Sequence, residues 1–104
     1  MANYVFVYKG GSMPEGEEQK NEVMAAWGKW FETLGKSIVD GGNPFSTSKT
    51  IAADGGVSEG TASELSGYSI VTADSLDAAV AMAQGCPVLL GGATVEVYET
   101  FPVM

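Results

Sequence analysis

A chain of 104 residues can build one hydrophobic core and is too short for two. Hydrophobic residues make up 45% and charged ones only 17%, which excludes a disordered chain and leaves surplus apolar surface, with self-association as its simplest outlet. The net charge of −8 sets thirteen Asp and Glu against five scattered Lys with no Arg, so neither nucleic acid nor an anionic substrate meets an attractive field, and the planar fork that clamps phosphate is missing.

The first predicted element is a strand over residues 3–9 (NYVFVYK), with Tyr4, Phe6 and Tyr8 on one face and Val5 and Val7 on the other. Both faces are apolar, so the sheet is expected to carry helices on one side and a second covering on the other. Ser12 precedes Glu15 at capping-box spacing, with Pro14 tolerated in a first helical turn. A long amphipathic helix over residues 17–34 follows. Its apolar stripe is Val23, Ala26, Trp27, Trp30, Phe31 and Leu34, and it ends at Gly35.

Residues 37–40 form a short strand and the run Gly41-Gly42-Asn43-Pro44 a turn; residues 45–53 are a further candidate strand. Residues 54–66 show no periodicity and are expected to be a mobile polar loop. A strand over residues 68–71 comes next. Asp74 and Ser75 then cap a helix carrying Leu76, Ala79, Val80 and Ala83, which is expected to stop at a left-handed Gly85. After Cys86-Pro87 and a Gly91-Gly92 turn, residues 95–100 alternate as a closing strand. The order β-α-β-β-β-α-β predicts an α+β ferredoxin-like split β-α-β subunit with one extra hairpin strand, as a single domain over residues 1–104.

A single cysteine excludes an intrachain disulfide. The opening MANYVFVYKG has neither the basic start nor the long apolar core of a signal peptide, so a cytoplasmic location is expected. No apolar run reaches the roughly 20 residues that cross a bilayer, so no membrane role is expected. Without histidine or paired cysteines there is no transition-metal spacing, and no cofactor is expected.

Several constellations bear both a functional and a structural reading. Trp27 and Trp30, three apart on one helical face, wall a pocket for a flat ligand or anchor the helix on the sheet. Glu96 and Tyr98 lie opposite Val95 and Val97; a carboxylate there is a candidate general base beside an orienting phenol, or a structural hydrogen-bonding group. Asp40, at a strand end before two glycines, is a candidate base at a cleft mouth or a turn residue bonding nearby amides. Asp54, Glu59 and Glu64 with Tyr68 make the 54–66 loop a candidate lid or a solvated segment. Cys86 precedes Pro87 at a helix C-terminus, which disfavours a thiolate, and reads as a small packed residue.

Taken together, the strand YVFVYKG, the tryptophan pair in MAAWGKWFETLGKSIVDGG, the segment GYSIVTADSLDAAVAMAQGCP and the closing GGATVEVYE resemble the YCII-related proteins, specifically the branch named after a DGPF tetrapeptide. The resemblance implies a bacterial protein forming a dimeric α/β barrel, in which two ferredoxin-like subunits pair their sheets face to face with the helices outside. The tetrapeptide is Asp54-Gly55-Gly56-Val57 here, without its Pro and Phe. The histidine-aspartate pair that the resemblance implies for some relatives has no counterpart in a chain without histidine.

Three functions follow as expectations. One is a homodimeric barrel holding a small, partly apolar ligand, with Trp27, Trp30, Tyr68, Tyr98, Asp54 and Glu64 as binding residues and Asp40 and Glu96 as polar anchors. Another is a cofactor-independent isomerase- or monooxygenase-like enzyme with Asp40 or Glu96 as the base. The last is an accessory interaction module.

Overall fold

The computed structural model describes residues 2–11 and 16–103; the Ser12 to Glu15 capping box lies outside them. Strand β1 (Ala2–Lys9) leads to helix α1 (Glu17–Leu34) and, through a 3-10 turn at Gly35–Ser37, to β2 (Ile38–Asp40). Strands β3 (Lys49–Ile51) and β4 (Val57–Glu59) follow, then β5 (Leu65–Ala73), α2 (Leu76–Ala83), a 3-10 turn at Pro87–Gly91, and β6 (Thr94–Glu99).

The main sheet has the order β2-β5-β1-β6 with every pair antiparallel, and β3 and β4 form a separate two-stranded sheet. This is the α+β, ferredoxin-like arrangement, with the hairpin as an insertion between its second and third sheet strands. Alternation along β1 sets the layers. Tyr4, Phe6 and Tyr8 are buried with Val71 and Ala73 of β5, and this face meets Trp30 of α1 and Ala79 and Ala83 of α2, so both helices lie on one side.

The stripe of α1 is the half of that helix removed from water: Val23, Ala26, Trp27, Trp30, Phe31 and Leu34 are buried or half-buried while their neighbours are exposed. Trp30 goes deepest. Its ring lies 6.3 Å from Phe6, and its indole N–H donates to the Met82 carbonyl at 3.0 Å, tying α1 to the end of α2. In α2 the Ser75 hydroxyl caps the helix by accepting from the Ala78 amide at 3.1 Å.

The inward face of α2 differs from the expected stripe. Ala79 and Ala83 are buried, whereas Leu76 and Val80 point outward. Alanines let the helix approach the sheet closely, and the bulkier residues turn to solvent. Gly85 also departs from expectation. Its amide bonds the Met82 carbonyl and that of Cys86 bonds Ala83, so the helix tightens into the 3-10 turn, and Gly92 beyond it takes the left-handed conformation at φ 83°.

The longest departure lies between residues 45 and 66. The expected strand over residues 45–53 is confined to Lys49–Ile51, and the expected structureless loop contains β4, which pairs back with Ile51 opposite Val57. Asp54 closes the connection: its Oδ1 accepts from the Gly56 amide at 2.8 Å, and Gly55 adopts φ 92°. Every residue of both strands is exposed. The molecule is a slab of 44 × 38 × 17 Å with a radius of gyration of 15.2 Å, above the roughly 13 Å of a compact chain of this length.

Candidate functional site

A cleft of about 570 Å³ opens between α1 and the C-terminal end of β1, within the usual range for small-molecule sites. Each wall comes from a different element. Trp27 and Phe31 descend from α1, Tyr8 from β1, Val88 from the second 3-10 turn, and the β2–β3 connection from Gly41 to Pro44 forms the rim. The aromatic side is continuous: Trp27 meets Tyr8 edge-on at 5.8 Å and Phe31 at 5.6 Å. No charged residue lines the cleft among the described residues.

Gly42 makes the rim possible. It sits at φ 81°, and a Cβ there would collide with the Tyr68 carbonyl, so the connection presses on β5 at a distance only glycine tolerates. Asp40 fixes the same bend, its Oδ1 accepting from the Gly42 amide at 2.8 Å.

Beneath the cleft the buried polar groups are paired. The Tyr8 hydroxyl donates to Ser69 Oγ at 2.6 Å, and Ser69, fully buried, donates onward to the Gly41 carbonyl at 2.7 Å. Burial pushes the Tyr8 phenol well above its usual range, a rise that the Ser69 hydrogen bond only partly opposes. Loss of water likewise pushes up the neighbouring Cys86 thiol, a rise that hydrogen bonds with the Val88 backbone and Tyr8 only partly oppose; the cysteine is packed and forms no disulfide.

The expected site residues separate into distinct places. Trp27 lines the cleft; Trp30, its helical neighbour, is core. Tyr68 lines the cleft, stacks on Phe45 at 5.8 Å and donates to Asp40 Oδ2 at 3.2 Å. Asp40 is exposed at the edge of the open sheet face, and Glu96 and Tyr98 are exposed on that face, in register with Val7 and Val5. Glu96 has no hydrogen-bond partner among the described residues. Asp54 turns the hairpin, and exposed Glu64 takes φ 52° just before β5.

Tyr8, Phe31, Ser69, Pro44 and Val88 belong to the site without having been singled out for it. Tyr8 and Phe31 stand in correctly read apolar stripes, a signal indistinguishable from core packing. Ser69 sits on the buried face of a strand, and only the third dimension shows that its hydroxyl meets Tyr8 and Gly41.

Among the described residues no group of three or more His, Cys, Asp or Glu is placed to hold a metal, and no helix is long and apolar enough to cross a membrane. None of the curated proteins matches the chain. Among solved structures, the 5-chloro-2-hydroxyhydroquinone dehydrochlorinase TftG of Burkholderia phenoliruptrix, in complex with 2,5-dihydroxybenzoquinone, superimposes with a TM-score of 0.54 at 20% identity, covering 94% of this chain and 93% of that one. That likeness is one of fold. The YCII-related domain matches residues 4–103, nearly the whole length, and the chain belongs to that family.

Proposed function

We propose that the protein binds a small, flat, partly apolar ring compound in the cleft between α1 and the sheet, and works as a homodimer. The cleft carries this reading: it has the volume for such a ligand, a continuous aromatic wall and uncharged polar groups, hydroxyls, backbone and the Asn43 amide. The 2,5-dihydroxybenzoquinone held by TftG supports a ring of that size. Asp40 and Glu96 stand outside the cleft lining, so the cleft favours binding over proton abstraction by either carboxylate.

The homodimer rests on the second sheet face. Val5, Val7 and Ile70 are half-buried there with no helix over them among the described residues, and Tyr98 is half exposed. A second copy offering the same face gives mutual cover without more chain. The single, buried cysteine suits a reducing compartment such as the cytoplasm.

Calorimetric titration with hydroquinone tests the site. One site per chain is expected, weakened by Trp27→Ala while circular dichroism stays native. No heat with hydroquinone or with naphthol up to their solubility, or an unchanged affinity in Trp27→Ala, overturns the reading. Sedimentation equilibrium tests the pairing, and a monomer at micromolar concentration removes it.

A further inference from the structure

The cleft changes character along its length. Phe31, Trp27 and Val23 stand four residues apart on one line of α1, with Met24 beside Val23, and all four line the cleft. At a rise of 1.5 Å per residue that line runs about 12 Å. Its first half is aromatic and meets the polar rim. Gly41 abuts the Phe31 ring, where a Cβ would stand 3.5 Å away, and Asn43 supplies the single side-chain amide of the lining among the described residues. The second half is aliphatic. Val23 is half-buried there, whereas Met24 and Leu90 are 64% and 76% exposed although both line the same cleft. The homodimer proposed above pairs through the sheet face opposite α1, and so leaves Met24 uncovered.

Volume points the same way. A closed cavity of about 150 Å³ accommodates benzene, whereas this cleft offers about 570 Å³. A single ring fills the aromatic half and leaves the aliphatic half to water. Resting on the ring-binding reading above, we infer that the ligand is elongated, with an uncharged aromatic head whose polar substituent lies toward Asn43 and an aliphatic tail along Val23, Met24 and Leu90. The ~6 Å from Trp27 to Val23 sets a tail of about four to six carbons. Such a tail covers two exposed aliphatic side chains while leaving water itself, so apolar surface is removed on both partners at once. No charged residue lines the cleft among the described residues, so the carboxylate of a fatty acid finds no cation and is not the head.

The 4-alkoxyphenols, hydroquinone carrying an ether chain of chosen length, read the tail directly. Calorimetric titration of the intact protein is expected to show one site per chain. Affinity is expected to rise roughly twofold to fourfold with each added CH₂ up to about the fifth carbon, and to level off beyond it. Met24→Ser and Leu90→Ser, each at an exposed position, are each expected to cut the ratio of pentyloxy to methoxy affinity by roughly threefold or more. Ile51→Ser, which removes an exposed apolar side chain of the hairpin, is expected to keep that ratio. A ratio near one in the unaltered protein, a rise that continues unbroken to the octyloxy compound, a ratio that survives both Met24→Ser and Leu90→Ser, or one that Ile51→Ser lowers equally, overturns the inference and leaves the cleft as a ring site. If neither hydroquinone nor any alkoxyphenol binds, the ring-binding reading falls with it.

Discussion

The two faces of one sheet are built by the same strands and behave as different materials. On the covered face Tyr4, Phe6, Tyr8, Ser69 and Val71 are at most 5% exposed, packed beneath the helices and hydrogen-bonded wherever they are polar. On the other face Val5, Val7, Tyr68 and Ile70 are only half-buried, although β1 and β5 pass through both environments with every second residue. The difference teaches that alternation in a strand specifies which residues share a face, and that only the rest of the chain decides whether a face is finished.

Phe6→Ala attacks the finished face at its centre. Phe6 is fully buried against Trp30, and its loss is expected to cost about 3–5 kcal/mol, read as a large fall in melting temperature. An equally stable variant would mean that the covered face is not the core. Ser69→Ala removes the acceptor of Tyr8 and the donor to Gly41 together; an expected loss of about 1–3 kcal/mol in chemical denaturation gauges the polar part of that face. Ile70→Asp probes the unfinished face: the chain is expected to stay folded by circular dichroism while its sedimentation shifts to that of a monomer. If Ile70→Asp unfolds the chain outright, the two faces are alike after all. The smallest effect belongs to the hairpin, where Ile51→Ser, at a residue 72% exposed, is expected to change stability by less than about 0.5 kcal/mol.

The hairpin is also where the sequence says least. Its strands are three residues long, exposed on both sides and held by a Lys49–Glu59 ion pair 3.3 Å long between two largely solvated side chains, worth under about 1 kcal/mol. With no buried face there is no hydrophobic period, so residues 57–59 looked like loop. By contrast α1 was legible to the residue, because its stripe has to meet a sheet. In α2 the same logic failed in part, since spacing marks a stripe without saying whether small or large residues turn inward. The cleft was legible only through Trp27 and Tyr68. Its floor joins Tyr8, Ser69 and Gly41 across as many as 61 positions of sequence, a closeness that strand register creates and that no local pattern encodes.

A slab one sheet thick also sets a timetable for the backbone amides. Among the described residues β1 and β5 alone in the main sheet have a hydrogen-bonded strand along both edges, while β2 and β6 are its edge strands. Deuterium should therefore reach the amides of the two central strands last, at rates that report global unfolding, and should enter the β3–β4 arm almost at once through local opening. The order of labelling turns the strand sequence β2-β5-β1-β6 into a clock, readable by mass spectrometry on the unmodified protein.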